Sequence, residues 1–189
     1  LKEHVSVKEI TETADENYRI HLNTGETFET RSIILATGAQ WRKLGVAGEE
    51  ENIGKGVAFC AHCDGPFFKG KDIAVVGGGN SGIEAALDLA GIVKHVTVLE
   101  FADDLKADQV LINKAKEKSN IDIITSAATQ EIKATDGKVS SIVYQDRGSS
   151  ENKELDVAGV FVQIGLISNS DFVKGFVDLN RFGEIEIDE

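Results

Sequence analysis

The sequence of 189 residues predicts an α/β fold, and three observations carry that expectation. The apolar run Ile73-Ala74-Val75-Val76 ends in Gly77-Gly78-Gly79-Asn80-Ser81-Gly82, and a helical pattern follows with Ile83, Ala86, Leu87 and Ala90 on one face. A second apolar run, residues 96–100, comes next, so strand, helix and strand succeed one another as in a parallel βαβ unit. On both sides lie short alternating runs broken by Asn or Asp with Gly, the pattern of antiparallel hairpins.

Taken in order, residues 5–10, 18–22 and 27–29 read as short antiparallel strands, with Asn23-Thr24-Gly25 as a turn. The apolar Ile33-Ile34-Leu35-Ala36, within a strand over residues 32–36, reads as a buried strand closing at Thr37-Gly38. The βαβ unit spans residues 73–100, with Gly91 as the helix stop. Residues 109–118 have helical composition, and residues 121–124 form a third strand in parallel order. Residues 130–134 and 139–145 return to antiparallel strands turned by Asp136-Gly137, and residues 154–157 and 160–164 complete that group.

The plan repeats. Residues 9–38 and 131–165 each begin with Glu-Ile, run through a strand meander and close on a buried strand ending in glycine. A βαβ dinucleotide unit precedes the second copy, whereas for the first it would lie before Leu1. The expectation is two related nucleotide-binding domains, one complete and one without its front half.

Composition narrows the partners. Thirty-two acids against 20 bases give a net charge of −12, which repels nucleic acid phosphates and anionic membranes. The acids are scattered, and the run Glu49-Glu50-Glu51 reads as solvated surface. No apolar run reaches the ~20 residues of a membrane helix, and the polar start lacks a signal-peptide core. A cytoplasmic location is therefore expected.

Gly77-x-Gly79-x-x-Gly82 has the roles that a dinucleotide requires: a tight turn, close approach of backbone to a pyrophosphate, and close helix-to-strand packing. Asn80 and Ser81 lie at the helix N-terminus, whose free N–H groups favour phosphate. Glu100 ends the second strand, where a carboxylate accepts hydrogen bonds from the ribose and repels a 2′-phosphate. NADH is expected over NADPH.

The two cysteines form one Cys-x-x-Cys, Cys60-Ala61-His62-Cys63, followed by Asp64. Such a pair takes up two electrons when its disulfide is reduced to a dithiol; a zinc site would need about four ligands, and no second ligand pair is present, so no metal is expected. The thiolate is the reactive form, so a helix N-terminus or His62 could assist it, and Asp64 could shuttle a proton. A dinucleotide turn and a dithiol within 23 residues indicate a disulfide reductase. A dinucleotide-binding redox module without turnover and a zinc-binding structural domain are the readings from other classes.

Residues 60–68, the turn at 77–82 with Asn80-Ser81, and residues 96–101 resemble the flavoprotein subunits of bacterial alkyl hydroperoxide reductases, relatives of low-molecular-weight thioredoxin reductase. Residues 36–39 with 41–44, and 160–166, extend the resemblance over essentially the whole chain. It implies electron transfer from NADH to FAD, to the Cys60–Cys63 disulfide, and on to a peroxiredoxin through a thioredoxin-fold dithiol module. It further implies that Cys63 is the flavin-side thiol, Cys60 the interchange thiol and Asp64 the acid. Thr37, Gly38 and Gly165 join the cofactor-binding set, and the full-length protein would be a homodimer. Residues 1–48 would belong to an FAD-binding domain, 49–166 to the NADH and disulfide domain, and 167–189 to a return segment. A fragment of this kind would hold little FAD. Thioredoxin reductase itself is the alternative within the fold. Ala61 stands where the family usually has proline, which puts the redox poise of the dithiol apart from the family pattern.

Overall fold

The computed structural model describes residues 2–187. The chain divides into two compact units, one made of residues up to 40 and from 166 onward, the other of residues 41–165.

The first unit opens with a meander: β1 (Val7–Glu12), β2 (Tyr18–Leu22) and β3 (Thr27–Thr30), antiparallel in the order 1-2-3. Gly25 turns β2 into β3 at φ 88°, a backbone state that glycine takes without a steric penalty. Ile10 and Leu22 are its buried apolar residues. The expected strand over residues 32–36 does not form: these residues join no ladder, and Ile34 is 93% exposed. An apolar run becomes a buried strand only where neighbouring strands satisfy its backbone, and among the described residues none pairs with it. The short β4 (Ala39–Trp41) follows.

In the second unit, a two-residue strand, β5 (Val57–Ala58), leads into the single helical turn α1 (Ala61–Asp64). Then come β6 (Asp72–Val76), α2 (Asn80–Ala90), β7 (His95–Leu99), α3 (Gln109–Lys116) and β8 (Ile121–Ile124). The meander β9 (Ala127–Thr135), β10 (Lys138–Asp146) and β11 (Asn152–Asp156) precedes β12 (Gly159–Val162). Asp136 and Gly137, at φ 55° and 74°, make the two-residue turn of the β9–β10 hairpin.

Five of these strands form one parallel sheet in the order β5-β12-β6-β7-β8. The position of β12 corrects the expectation for residues 160–164. The sequence groups them with the antiparallel strands, but β12 lies inside the parallel sheet, with Val160 opposite both Val57 and Ala74. Its four residues are all buried, as an interior parallel strand requires. Alternation along β6 distributes the core: Ile73 and Val75 pack with the helices, Ala74 and Val76 with the meander. From α2, Ile83, Ala86 and Leu89 are fully buried, while Leu87 and Ala90, expected on that face, are partly so. Gly91 caps α2 as anticipated, though in right-handed geometry.

Glu49 departs from the solvated surface expected of it. It is 2% exposed, and its carboxylate accepts the N–H groups of Leu44 at 2.9 Å and Gly45 at 2.7 Å. Two charge-assisted bonds compensate its burial. The chain then returns to the first unit through β13 (Leu166–Ser168), which pairs with β4, and buries Val173 there. Among the described residues, no helix is long and apolar enough to cross a membrane.

Candidate functional site

The glycine turn joins β6 to α2 at the carboxyl end of the parallel sheet, where open α/β sheets offer a crevice. Its glycines have different reasons. Gly77 sits at φ 119°, and a Cβ there would stand 2.3 Å from the Gln163 carbonyl oxygen. A Cβ on Gly82 would stand 1.9 Å from the Gly77 carbonyl oxygen, so helix and turn can meet only at glycine. Gly79 is different: its φ is −83°, and a Cβ would find nothing within 4 Å. The open side is where a ligand would approach. Gly78, which the sequence motif leaves unspecified, is also confined, 2.5 Å from Leu105 Cδ2 and 2.8 Å from Glu100 Oε2 by the same measure.

A cleft of about 640 Å³ opens along this turn. Its walls bring together Gly77, Gly79, Asn80, Ser81, Glu100 and Gly165 from the expected set. Gly82 lies behind the turn and is buried. Glu100 Oε2 accepts the Gly78 N–H at 2.5 Å, and Oε1 accepts the Ala102 N–H at 2.7 Å. The carboxylate thus anchors the turn while facing the cleft, and each oxygen retains a further lone pair. Asn80 is committed elsewhere: its amide donates to Asp108 Oδ2 at 3.1 Å and its carbonyl accepts the Asp108 N–H at 2.7 Å, tying α2 to the start of α3. Gly165, at φ 98°, ends the wall and accepts the Arg42 N–H at 3.0 Å.

Cys60 and Cys63 are joined as a disulfide. Cys60 caps α1, its sulfur accepting the Cys63 N–H at 3.1 Å. It is the half-buried member and lines a second cleft of about 480 Å³ with Trp41, Phe59, His62, Asp88 and Lys114, whereas Cys63 is exposed and lines neither cleft. The His62 imidazole lies 3.2 Å from the Asp88 carboxylate of α2. Asp64 is half-buried, and its backbone N–H closes the helical turn onto the Cys60 carbonyl at 3.1 Å. Thr37 and Gly38 lie in the first unit, where both are exposed and their carbonyls accept from Asn169. They are not among the residues lining either cleft.

Three groups at these clefts escape sequence reasoning. Gln163 lines both clefts and is 8% exposed. Phe101, beside Glu100, carries the Arg147 guanidinium 4.2 Å above its ring centroid. Arg147 also donates to the Phe101 carbonyl at 2.8 Å. No local signal pairs residues 46 positions apart. Lys106 is the third, a cation on the wall of the glycine cleft.

Residues 2–189 match the family model of the pyridine nucleotide-disulphide oxidoreductases. The chain is 53% identical over 175 residues to the F subunit of the alkyl hydroperoxide reductase of Pseudomonas aeruginosa, covering 93% of itself and 34% of that protein. The Escherichia coli protein of the same name is 53% identical over 171 residues, of which this chain spans 33%. The chain thus corresponds to about a third of the length of these curated relatives. Among solved structures, the thioredoxin reductase of Lactococcus lactis is similar with a TM-score of 0.84 at 36% identity, over 97% of this chain and 60% of that one.

Proposed function

Given that the chain belongs to the pyridine nucleotide-disulphide oxidoreductase family, we propose that it is the nucleotide- and disulfide-bearing part of an NADH-dependent flavoprotein reductase that supplies a peroxiredoxin. The observation that carries this reading is the presence, in one compact unit, of a glycine turn open at Gly79 and a Cys60–Cys63 disulfide.

The donor set fits a dinucleotide. The first N–H groups of a helix have no partner within it, and Gly79, Asn80 and Ser81 at the start of α2 line the cleft, so their N–H groups would meet the pyrophosphate. Glu100, held in place by two backbone N–H groups, would accept the adenosine ribose hydroxyls and repel a 2′-phosphate. NADH, when bound, would supply a hydride, and the flavin of the whole protein would supply the redox chemistry between it and the sulfur pair. Thr37 and Gly38, exposed in the first unit, would belong to the FAD-binding side of the whole protein.

At the sulfur pair, two electrons and two protons convert the disulfide into two thiols. Cys60, on the wall of its cleft, would then attack an external disulfide, and Cys63 would complete the exchange. Asp64 follows Cys63 and would hold or release the proton as the thiols form and leave. The receiving partner would be a thioredoxin-fold dithiol, and the whole protein a homodimer.

Titration of the chain with NADH and, separately, NADPH, followed by nicotinamide fluorescence, tests the reading. Saturable binding with tighter NADH is the expected result; binding of neither nucleotide overturns it. One observation favours thioredoxin reductase as the second reading: Arg147 puts a cation beside Phe101, next to the carboxylate that faces the ribose. Tighter NADPH in the same titration would select that alternative.

A further inference from the structure

β5 and β12 pair for two rungs only, Val57 with Val160 and Ala58 with Phe161. At Phe59 the chain leaves the sheet to make the disulfide turn, so its carbonyl has no ladder partner. Gln163 takes over. Its side-chain amide donates to the Phe59 carbonyl at 2.8 Å, across 104 residues of sequence. A buried amide following Val160-Phe161-Val162 would be costly without such a bond.

The same residue grips the nucleotide turn. Its backbone N–H donates to the Val76 carbonyl at 2.8 Å, and its own carbonyl lies where a Cβ on Gly77 would be 2.3 Å away. Gln163 therefore touches the residue before Cys60 with its side chain and the first glycine of the turn with its backbone. It forms part of the wall of both clefts.

We propose that Gln163 is a positioning residue that couples the two sites, so that nucleotide affinity depends on whether Cys60 and Cys63 are joined. This rests on the nucleotide-binding reading given above. With the disulfide intact, Cys60 is held against Cys63, Phe59 is held with it, and the Gln163 amide keeps its anchor. Reduction frees Cys60, loosens the Phe59 carbonyl, and removes one support of the wall on which Gly77 rests. The oxidised form binds the nucleotide more tightly. By reciprocity, the nucleotide favours the disulfide by the same factor.

ADP-ribose is the probe, because it carries adenosine and pyrophosphate but no nicotinamide and cannot exchange electrons. Its affinity is measured by calorimetry on the chain in the disulfide form and after reduction. In the reduction, each disulfide takes two electrons and two protons, and a phosphine becomes its oxide with oxygen from water. The expected result is about fivefold or greater preference for the oxidised form. Saturating ADP-ribose should then lower the midpoint potential of the dithiol by about 21 mV or more, from 29.6 mV per tenfold for a two-electron couple. Gln163→Leu, which keeps bulk and removes the amide, should bring the ratio within twofold of unity and abolish the potential shift. If that variant fails to fold, Gln163→Met replaces it.

Equal affinity for both wild-type forms overturns the coupling and leaves the nucleotide reading standing. A wild-type preference that survives Gln163→Leu removes Gln163 from the role. Absence of binding in both forms overturns the nucleotide reading and this inference with it.

Discussion

At Gly79 an added methyl group meets open space, and at Gly82 it meets the Gly77 carbonyl oxygen at 1.9 Å. The two alanine variants should therefore separate binding from folding. Gly79→Ala is expected to keep the melting temperature and weaken NADH, because it crowds only the ligand side. Gly82→Ala should lose about 3 kcal/mol to overpacking, a fall in Tm of roughly 6–12 °C. Calorimetric melting beside an NADH titration distinguishes them; equal stability losses would mean that Gly79 serves the fold. Glu100→Arg removes the acceptor of two backbone N–H groups and reverses the charge on the cleft wall proposed to meet the ribose. NADH affinity should fall about tenfold or more, in line with the ~1.5–3 kcal/mol of charged hydrogen bonds, while exclusion of NADPH is relieved. An unchanged NADH:NADPH preference would remove Glu100 from that role. These positions were legible because each signal is local: a glycine beside a strand end, an acid at the end of the next strand. Gln163 and Arg147 were not, since their partners Phe59 and Phe101 lie 104 and 46 residues away. Nothing in a linear pattern names a partner at that distance.

Among the elements, β12 is buried on both faces, with Phe161 packed edge-to-face against Phe68 at 5.2 Å. Phe161→Ala is expected to destabilise the second unit by about 3–5 kcal/mol, read as a lower denaturant midpoint. A loss below ~1 kcal/mol would deny β12 its buried place inside the sheet. Its composition was legible as a buried strand, but its neighbours were not, because an apolar run does not say whether it pairs parallel or antiparallel. The meander allows a pH test. Lys133 on β9 and Glu154 on β11 meet at 2.7 Å across β10, whose Ser141 donates to the same carboxylate at 2.5 Å. The Lys133 bond first, then that from Ser141, holds the Glu154 carboxyl below its ordinary value of 4.5. A depressed folded value stabilises above 4.5, and this contribution disappears as pH falls through the folded value. Wild type and Glu154→Gln should thus differ in stability at neutral pH and converge in acid. A difference that persists at pH 2 would assign the effect to packing.

For the whole molecule, the two units are built unequally. Residues 41–165 bury apolar side chains on both faces of a five-stranded sheet, while Ile10, Leu22 and Val173 are the buried apolar residues of the other unit among those described. Hydrogen exchange should therefore be slowest at Val75, Val98 and Phe161 and fastest across the first unit. Uniform protection would indicate one cooperative body. The repeated plan read from the sequence has its counterpart in two three-stranded meanders, β1–β3 and β9–β11. Only the second is followed by a paired closing strand: β12 has neighbours, and residues 32–36 have none among the described residues. The late place of β12 in the chain also has a consequence in time. Phe59 emerges 104 residues before Gln163, its anchor. At roughly 5–20 residues per second of synthesis, that is an interval of about 5–20 s. During it the cysteines are already made but β12, the inner strand that pairs with β5 ahead of them, is not. The sulfur pair therefore meets the oxidants and reductants of its surroundings first on a nascent loop, and the finished site starts from whichever state that interval leaves.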